Sequence, residues 1–175
     1  MAHYRLTGII GALWGLAGVA LLLGSAVYRL APIAMEGLRQ DLQWQHWVFL
    51  LFVLFFMAYA EGYRAFQQGF SPRVAARARY LAERPNLLHG LFAPLFCMAY
   101  FHAPRRRRIT SLSVTAGIVV LIILVRLLSQ PWRGIIDAGV VVGLAWGLVA
   151  LVLFSVKAFF ADRFEYSPEV PETPA

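Results

Sequence analysis

The stretch GIIDAGVVVGLAWGLVALVLFSV, from Gly134 to Val156, holds one ionisable residue, Asp137, in its whole length. About 20 consecutive apolar residues suffice to carry an α-helix across the roughly 30 Å hydrocarbon core of a bilayer. Its residues do not alternate between apolar and polar, as a barrel strand would require. Backbone groups in lipid must be satisfied within their own segment, so the stretch predicts a spanning helix.

Four more apolar runs lie upstream: Thr7–Tyr28, Trp47–Ala60, Leu87–Phe101 and Ile109–Val125. The whole chain of 175 residues is 60% hydrophobic and only 14% charged, with a mean hydropathy of +0.65. Soluble domains keep about a quarter of their residues charged. The composition therefore predicts an all-α integral membrane protein, with one helical domain over residues 1–161. Gly24-Ser25-Ala26 resembles a signal cleavage site, but Thr7–Tyr28 is long for a signal peptide and reads as an uncleaved first span.

The net charge of +7 would suit a nucleic-acid partner. The same arginines are needed to orient membrane spans, so a membrane surface is the expected partner and nucleic acid is not. Arginine supplies every basic residue except Lys157, and with abundant Ala, Gly and Leu this suggests a GC-rich bacterial source.

Leu87–Phe101 is the segment that decides the number of spans. Its length reaches about 22 Å as a helix, short of the hydrocarbon core, and it contains Gly90 and Pro94. If all five runs cross, eight basic residues fall on each side. If Leu87–Phe101 enters and leaves on one side, twelve fall there and four (Arg29, Arg39, Arg126, Arg133) on the other. The positive-inside rule favours the second arrangement. The sequence thus predicts four transmembrane helices, at about 7–28, 47–66, 109–127 and 134–157, plus a short re-entrant or shallow hydrophobic hairpin at 87–101. Both termini are then cytoplasmic, in a bacterial inner membrane. Five transmembrane helices is the alternative.

The connectors add detail. Residues 31–43 read as a short amphipathic interfacial helix with Pro32 in its first turn, next to a headgroup belt of Trp44, Trp47 and Trp132. Ser71-Pro72 reads as the start of a second interfacial helix ending near Glu83. Arg73, Arg77, Arg79 and Arg84, with Arg105, Arg106, Arg107 and Arg108, are expected to face anionic lipid headgroups. Residues 162–175 are acidic and proline-rich and predict disorder; Ser167-Pro168 within them is a common modification dipeptide.

Two runs carry small residues at helical spacing. Gly8, Gly11, Ala12, Gly15 and Gly18 mark the first; Gly139, Gly143 and Gly147 mark the last. Apolar side chains gain little from leaving lipid, so helices associate where small residues let backbones approach. These stripes are expected to pack the first helix against the last, or to form an interface with a homo-oligomer or another membrane protein.

Ionisable residues in spans are expensive and are candidates for function. Asp137 is expected to pair with Arg133 one turn earlier, with Arg126 as a second possible partner. Glu61 is expected at the inner end of its span, paired with Arg64, or else facing His89 or His102 in the hairpin. The four histidines, His3, His46, His89 and His102, share no ligand spacing, and Cys97 is the only cysteine, so no metal, haem or other cofactor is expected. No nucleophile elbow is present. Residues 59–63 and 130–139 look too specific for generic span filler. The expected function is a non-enzymatic accessory, assembly or homo-oligomeric interaction protein. A small transporter or channel component and a lipid-active enzyme are the alternatives.

Overall fold

A computed structural model describes residues 6–161 and 164–171 of the chain. Its helices are α1 (Leu6–Leu38), α2 (Trp44–Met57), a π-helical segment (Ala58–Phe70), α3 (Ser71–Glu83), α4 (Leu87–Leu91), α5 (Ala93–Cys97), α6 (Arg105–Arg126) and α7 (Trp132–Phe160). No strand occurs among the described residues. Four helices are long and apolar enough to cross a membrane: α1, the continuous rod Trp44–Glu83, α6 and α7.

Three of these form a bundle. α1 runs antiparallel to both the rod and α7. At one end Gly8 of α1 meets the backbone of Ala82; at the other Gly37 meets Gly134 of α7. A core at the Gly8 end gathers Ala12, Val19, Val74, Leu81, Phe96 and Leu151. A smaller one at the Gly37 end is built from Ala34, Leu50, Val53, Ile135 and Ala138. α6 stands to one side, and Val125 is its one buried residue.

Several expectations need correction. Residues 31–38 are no separate interfacial helix: α1 continues through Pro32 to Leu38 and is about 50 Å long. An α-helix does start at Ser71 with Pro72 in its first turn, as read, but it continues the rod rather than standing apart from it. The residue before it, Phe70, is itself helical (φ −72°, ψ −54°). Proline removes a backbone donor and crowds the preceding turn, and the wider π segment just upstream gives it room. α3 does end at Glu83 as read, but it is interior. Val74, Ala75, Ala78, Leu81 and Ala82 are all buried, and such small residues let α1 and α7 approach on both sides.

Leu87–Phe101 does not form a fifth long helix. α4 and α5 are five residues each, broken at Phe92 (φ −101°, ψ 32°) with Pro94 just beyond. Asn86 caps α4 by accepting from the Leu88 N–H at 2.9 Å. The segment lies along α1, with Ala93 and Cys97 against Gly15 and Pro94 against Gly18.

The two glycine stripes also differ from expectation. They do not face each other: the α1 stripe receives α3, α4 and α5, whereas Gly139, Gly143 and Gly147 of α7 receive Val53, Glu61 and Phe66 of the rod. The tail departs from its composition as well. Residues 164–171 are irregular but docked, with Pro168 and Glu169 held by Arg77. Residues 1–5, with His3 and Arg5, and 162–163 and 172–175 lie outside the described residues.

Candidate functional site

Arg77 sits at the centre of the Gly8 end, 1% exposed. All five of its N–H donors are used on backbone carbonyls. Nε donates to Phe96 O at 2.6 Å, Nη1 to Pro168 O at 3.0 Å and Glu169 O at 3.4 Å, and Nη2 to Phe101 O at 3.1 Å and His102 O at 3.0 Å. The guanidinium also lies 4.2 Å from the centre of the Phe96 ring. It therefore does not face headgroups; it ties the 87–102 segment and the tail to α3. The fastening is needed, because Ala99 (φ 61°), His102 (φ 49°) and Glu169 (φ 47°) are all left-handed without being glycine, a geometry costing of order 1 kcal/mol or more at each.

Arg79 is likewise turned inward. Its Nη1 donates to Ala158 O at 3.0 Å and Ala161 O at 3.3 Å, closing the C-terminus of α7, while Nε pairs with Glu83 at 2.9 Å. Arg107 pairs with Glu169 through Nε and Nη2. Arg73 lines a small cavity with Arg77, Arg107 and Glu169 and makes no ion pair among the described residues. Arg84, Arg105, Arg106 and Arg108 are exposed.

His89 and His102, thirteen residues apart in sequence, meet with ring centres 4.6 Å apart and planes tilted by 47°. Neither sequence spacing nor periodicity brings them together; the left-handed turns at Ala99 and His102 do. His89 also stacks on Phe96 at 4.6 Å, and its Nδ1 has no hydrogen-bond partner among the described residues. No group of three metal-ligating side chains occurs there. Burial, with His102 and Arg77 nearby, holds His89 below its ordinary pKa of 6.5. The unfolded chain then binds that proton more tightly than the folded one. The stability present above pH 6.5 is lost as pH falls through the lower folded value. The thermal midpoint should therefore drop between about pH 7.5 and about pH 5, and drop less in His89→Asn. An equal fall in both proteins would remove His89 from this account.

Glu61 is nowhere near this cluster. It lies in the π segment near the middle of the rod, level with Gly143. A side chain on Gly143 would stand 2.6 Å from Glu61 Oε2. The expected pair with Arg64 is absent, and Glu61 makes no ion pair among the described residues. Residues 59–63 divide by face. Tyr59 and Tyr63 stack outward at 5.9 Å, while Gly62 admits the Trp146 ring of α7. The Trp146 indole donates to Gln67 at 2.8 Å. A π segment of this length is rare, and π geometry is frequent at functional sites.

At the Gly37 end, Asp137 is 4% exposed and faces Arg133 at 3.7 Å, an ion pair too long for a hydrogen bond. Arg126, at the end of α6, is exposed and makes no ion pair among the described residues. The rest of residues 130–139 forms a clamp. Gln130 donates to Ile33 O at 3.3 Å and accepts from the Gly134 N–H at 2.9 Å. Trp132 packs on His46 and Phe49, and His46 Nδ1 accepts from the Gln43 N–H at 3.0 Å.

The chain matches no protein-family model, no curated protein and no solved structure. Its chemistry is read from these residues alone. Asp137 with Arg133 is the one predicted partnership found among the candidate polar residues. Those that sequence reasoning missed are Phe96, Phe101 and Glu169, which the chain reversal at 98–104 and the docked tail bring to α3; Arg107, expected at headgroups, pairs with Glu169 instead.

Proposed function

We propose that the chain is a non-enzymatic interaction protein of a bacterial inner membrane, with both termini cytoplasmic, working through a helix–helix contact at α6. The observation that carries this reading is the isolation of α6. It is apolar enough to cross a membrane, yet apolar side chains around its whole circumference, from Ile109 and Leu112 to Ile123 and Leu124, are exposed. Its few contacts are Ser111 to Met98 O, Thr115 to Tyr100 and Arg107 to Glu169, with Val125 buried near its far end.

The glycines of α1 and α7 that stripe the bundle are occupied by internal neighbours, but a side chain on Gly117 would meet nothing within 4 Å. Ser113 and Gly117 make a small-xxx-small pair on α6. Such a pair is self-complementary, so the first occupant to consider is α6 of a second copy. A helix from a different membrane protein is the other outcome of the test.

The test is native mass after gentle extraction, with co-purifying proteins identified. Wild type should run as a defined complex. Gly117→Leu should run as a folded monomer, because nothing within the chain fills that space. A wild-type monomer would sink the reading.

A second reading, a small proton or cation transporter, rests on Glu61, an intramembrane carboxylate without a cationic partner. Against it, the Pro-broken segment packs tightly on α1, with Ala93, Phe96 and Cys97 buried. A monomer that conducts ions until Glu61→Gln is introduced would favour it. The lipid-active enzyme reading would be favoured by a pocket joining Glu61 to the histidines, and Glu61 lies against Gly143, away from His89 and His102.

A further inference from the structure

At the Gly8 end a cavity of about 50 Å³ lies between α3, the turn at 98–99 and the first turn of α6, with Arg73, Arg77, Arg107 and Glu169 in its wall. Its charges do not balance. Three guanidiniums and one carboxylate line it. Arg77 commits every donor to carbonyls, Arg107 forks onto Glu169, and Arg73 makes no ion pair among the described residues. The Thr110 and Ser111 hydroxyls donate to backbone carbonyls, leaving recognition to the arginines. Arg105–Arg108 also occupy the first turn of α6, where the helix dipole disfavours cations. An anion larger and more charged than a carboxylate would relieve both imbalances.

We propose that this cavity is a phosphate-binding site, and that Glu169 of the chain's own tail occupies it in the state described. A planar guanidinium fork grips phosphate as it grips carboxylate. Glu169 mimics such a ligand: it presents both oxygens to Arg107. It does so from a local turn in which its N–H donates to Ser167 Oγ at 3.1 Å. The tail is fastened separately, by its carbonyls on Arg77. A phosphate bridging Arg73 and Arg107 therefore needs to displace only the carboxylate arm. The phosphate can belong to an anionic lipid headgroup or to a soluble ion; the recognition chemistry is shared. The inference does not rest on association through α6, which can fail without touching it.

The test uses the full chain in neutral detergent, titrated with short-chain phosphatidylglycerol, short-chain phosphatidylcholine and inorganic phosphate. Lipid is read by native mass spectrometry and phosphate by equilibrium dialysis. Glu169→Gln should tighten phosphatidylglycerol or phosphate binding about tenfold by removing the internal competitor. Adding Arg73→Gln should reverse that gain. Arg84→Gln, at an exposed arginine, should change binding by no more than about twofold. Binding of phosphatidylglycerol without inorganic phosphate assigns the site to a lipid headgroup; binding of both assigns it to phosphate itself. The proposal is overturned if Glu169→Gln leaves every affinity unchanged, if phosphatidylcholine binds as well as phosphatidylglycerol, or if Arg84→Gln weakens binding as much as Arg73→Gln.

Discussion

Arg77→Ala is expected to destabilise the protein by about 3–5 kcal/mol, the cost of removing one member of a buried charged network. Five hydrogen bonds end on that guanidinium, and the carbonyls left behind include buried ones that water does not reach. Three left-handed residues lose their anchor at the same time. Cys97 reports the outcome. It is 1% exposed, and burial pushes its thiol pKa up to about 12, so in the wild type it should resist a maleimide until the protein unfolds. In Arg77→Ala the 87–102 segment should loosen and Cys97 should label under native conditions. Arg77→Lys should fall between the two, because one ammonium cannot reach carbonyls arrayed around a planar fork. A protected Cys97 and a stability change within about 0.5 kcal/mol, the size of a surface substitution, would show that the node is dispensable.

Gly134→Ala should cost about 2–3 kcal/mol, a large price for one methyl group. The added carbon would stand 2.6 Å from Gly37 Cα and 3.1 Å from Gly37 N. Both atoms are backbone, so no side chain can swing aside; α1 and α7 must separate by about an ångström. The Gln130 clamp on Ile33 spans the same junction and should weaken with it. Gly24→Ala, within α1, is the matched control. Nothing lies within 4 Å of its added carbon, and exchanging Gly for Ala within a helix should stabilise it by up to about 1 kcal/mol. Thermal midpoints of the two variants in the same detergent decide the matter. Equal midpoints would mean that α1 and α7 are not locked at Gly37.

The membrane-type architecture was legible because hydropathy is a one-dimensional property, and runs such as Gly134–Val156 state it directly. The break at Leu87–Phe101 was legible too, from its length and from Pro94. The partners of the glycines were not: Gly143 announces a close approach, but nothing in its neighbourhood says that Glu61 will fill the space. Arg77 was misread for a related reason. Arginine in a basic, alanine-rich stretch resembles a headgroup anchor. Its true surroundings are carbonyls from residues 96, 101, 102, 168 and 169, which only the chain reversals bring together. Local spacing finds Arg133 beside Asp137; it cannot find His89 beside His102.

The rod Trp44–Glu83 also works as a gear. Each i→i+5 turn between Ala58 and Phe70 holds one residue more than an α-turn. Tightening one such turn would rotate α3 by about 100° relative to α2, the angle of one helical residue. Arg77 would then swing away from its carbonyls while Val53, on the α2 side, stayed seated on Gly139. The angular setting of the Gly8 end against the Gly37 end is thus held in thirteen underwound residues, and a one-residue deletion there should uncouple the two ends while leaving each helix intact.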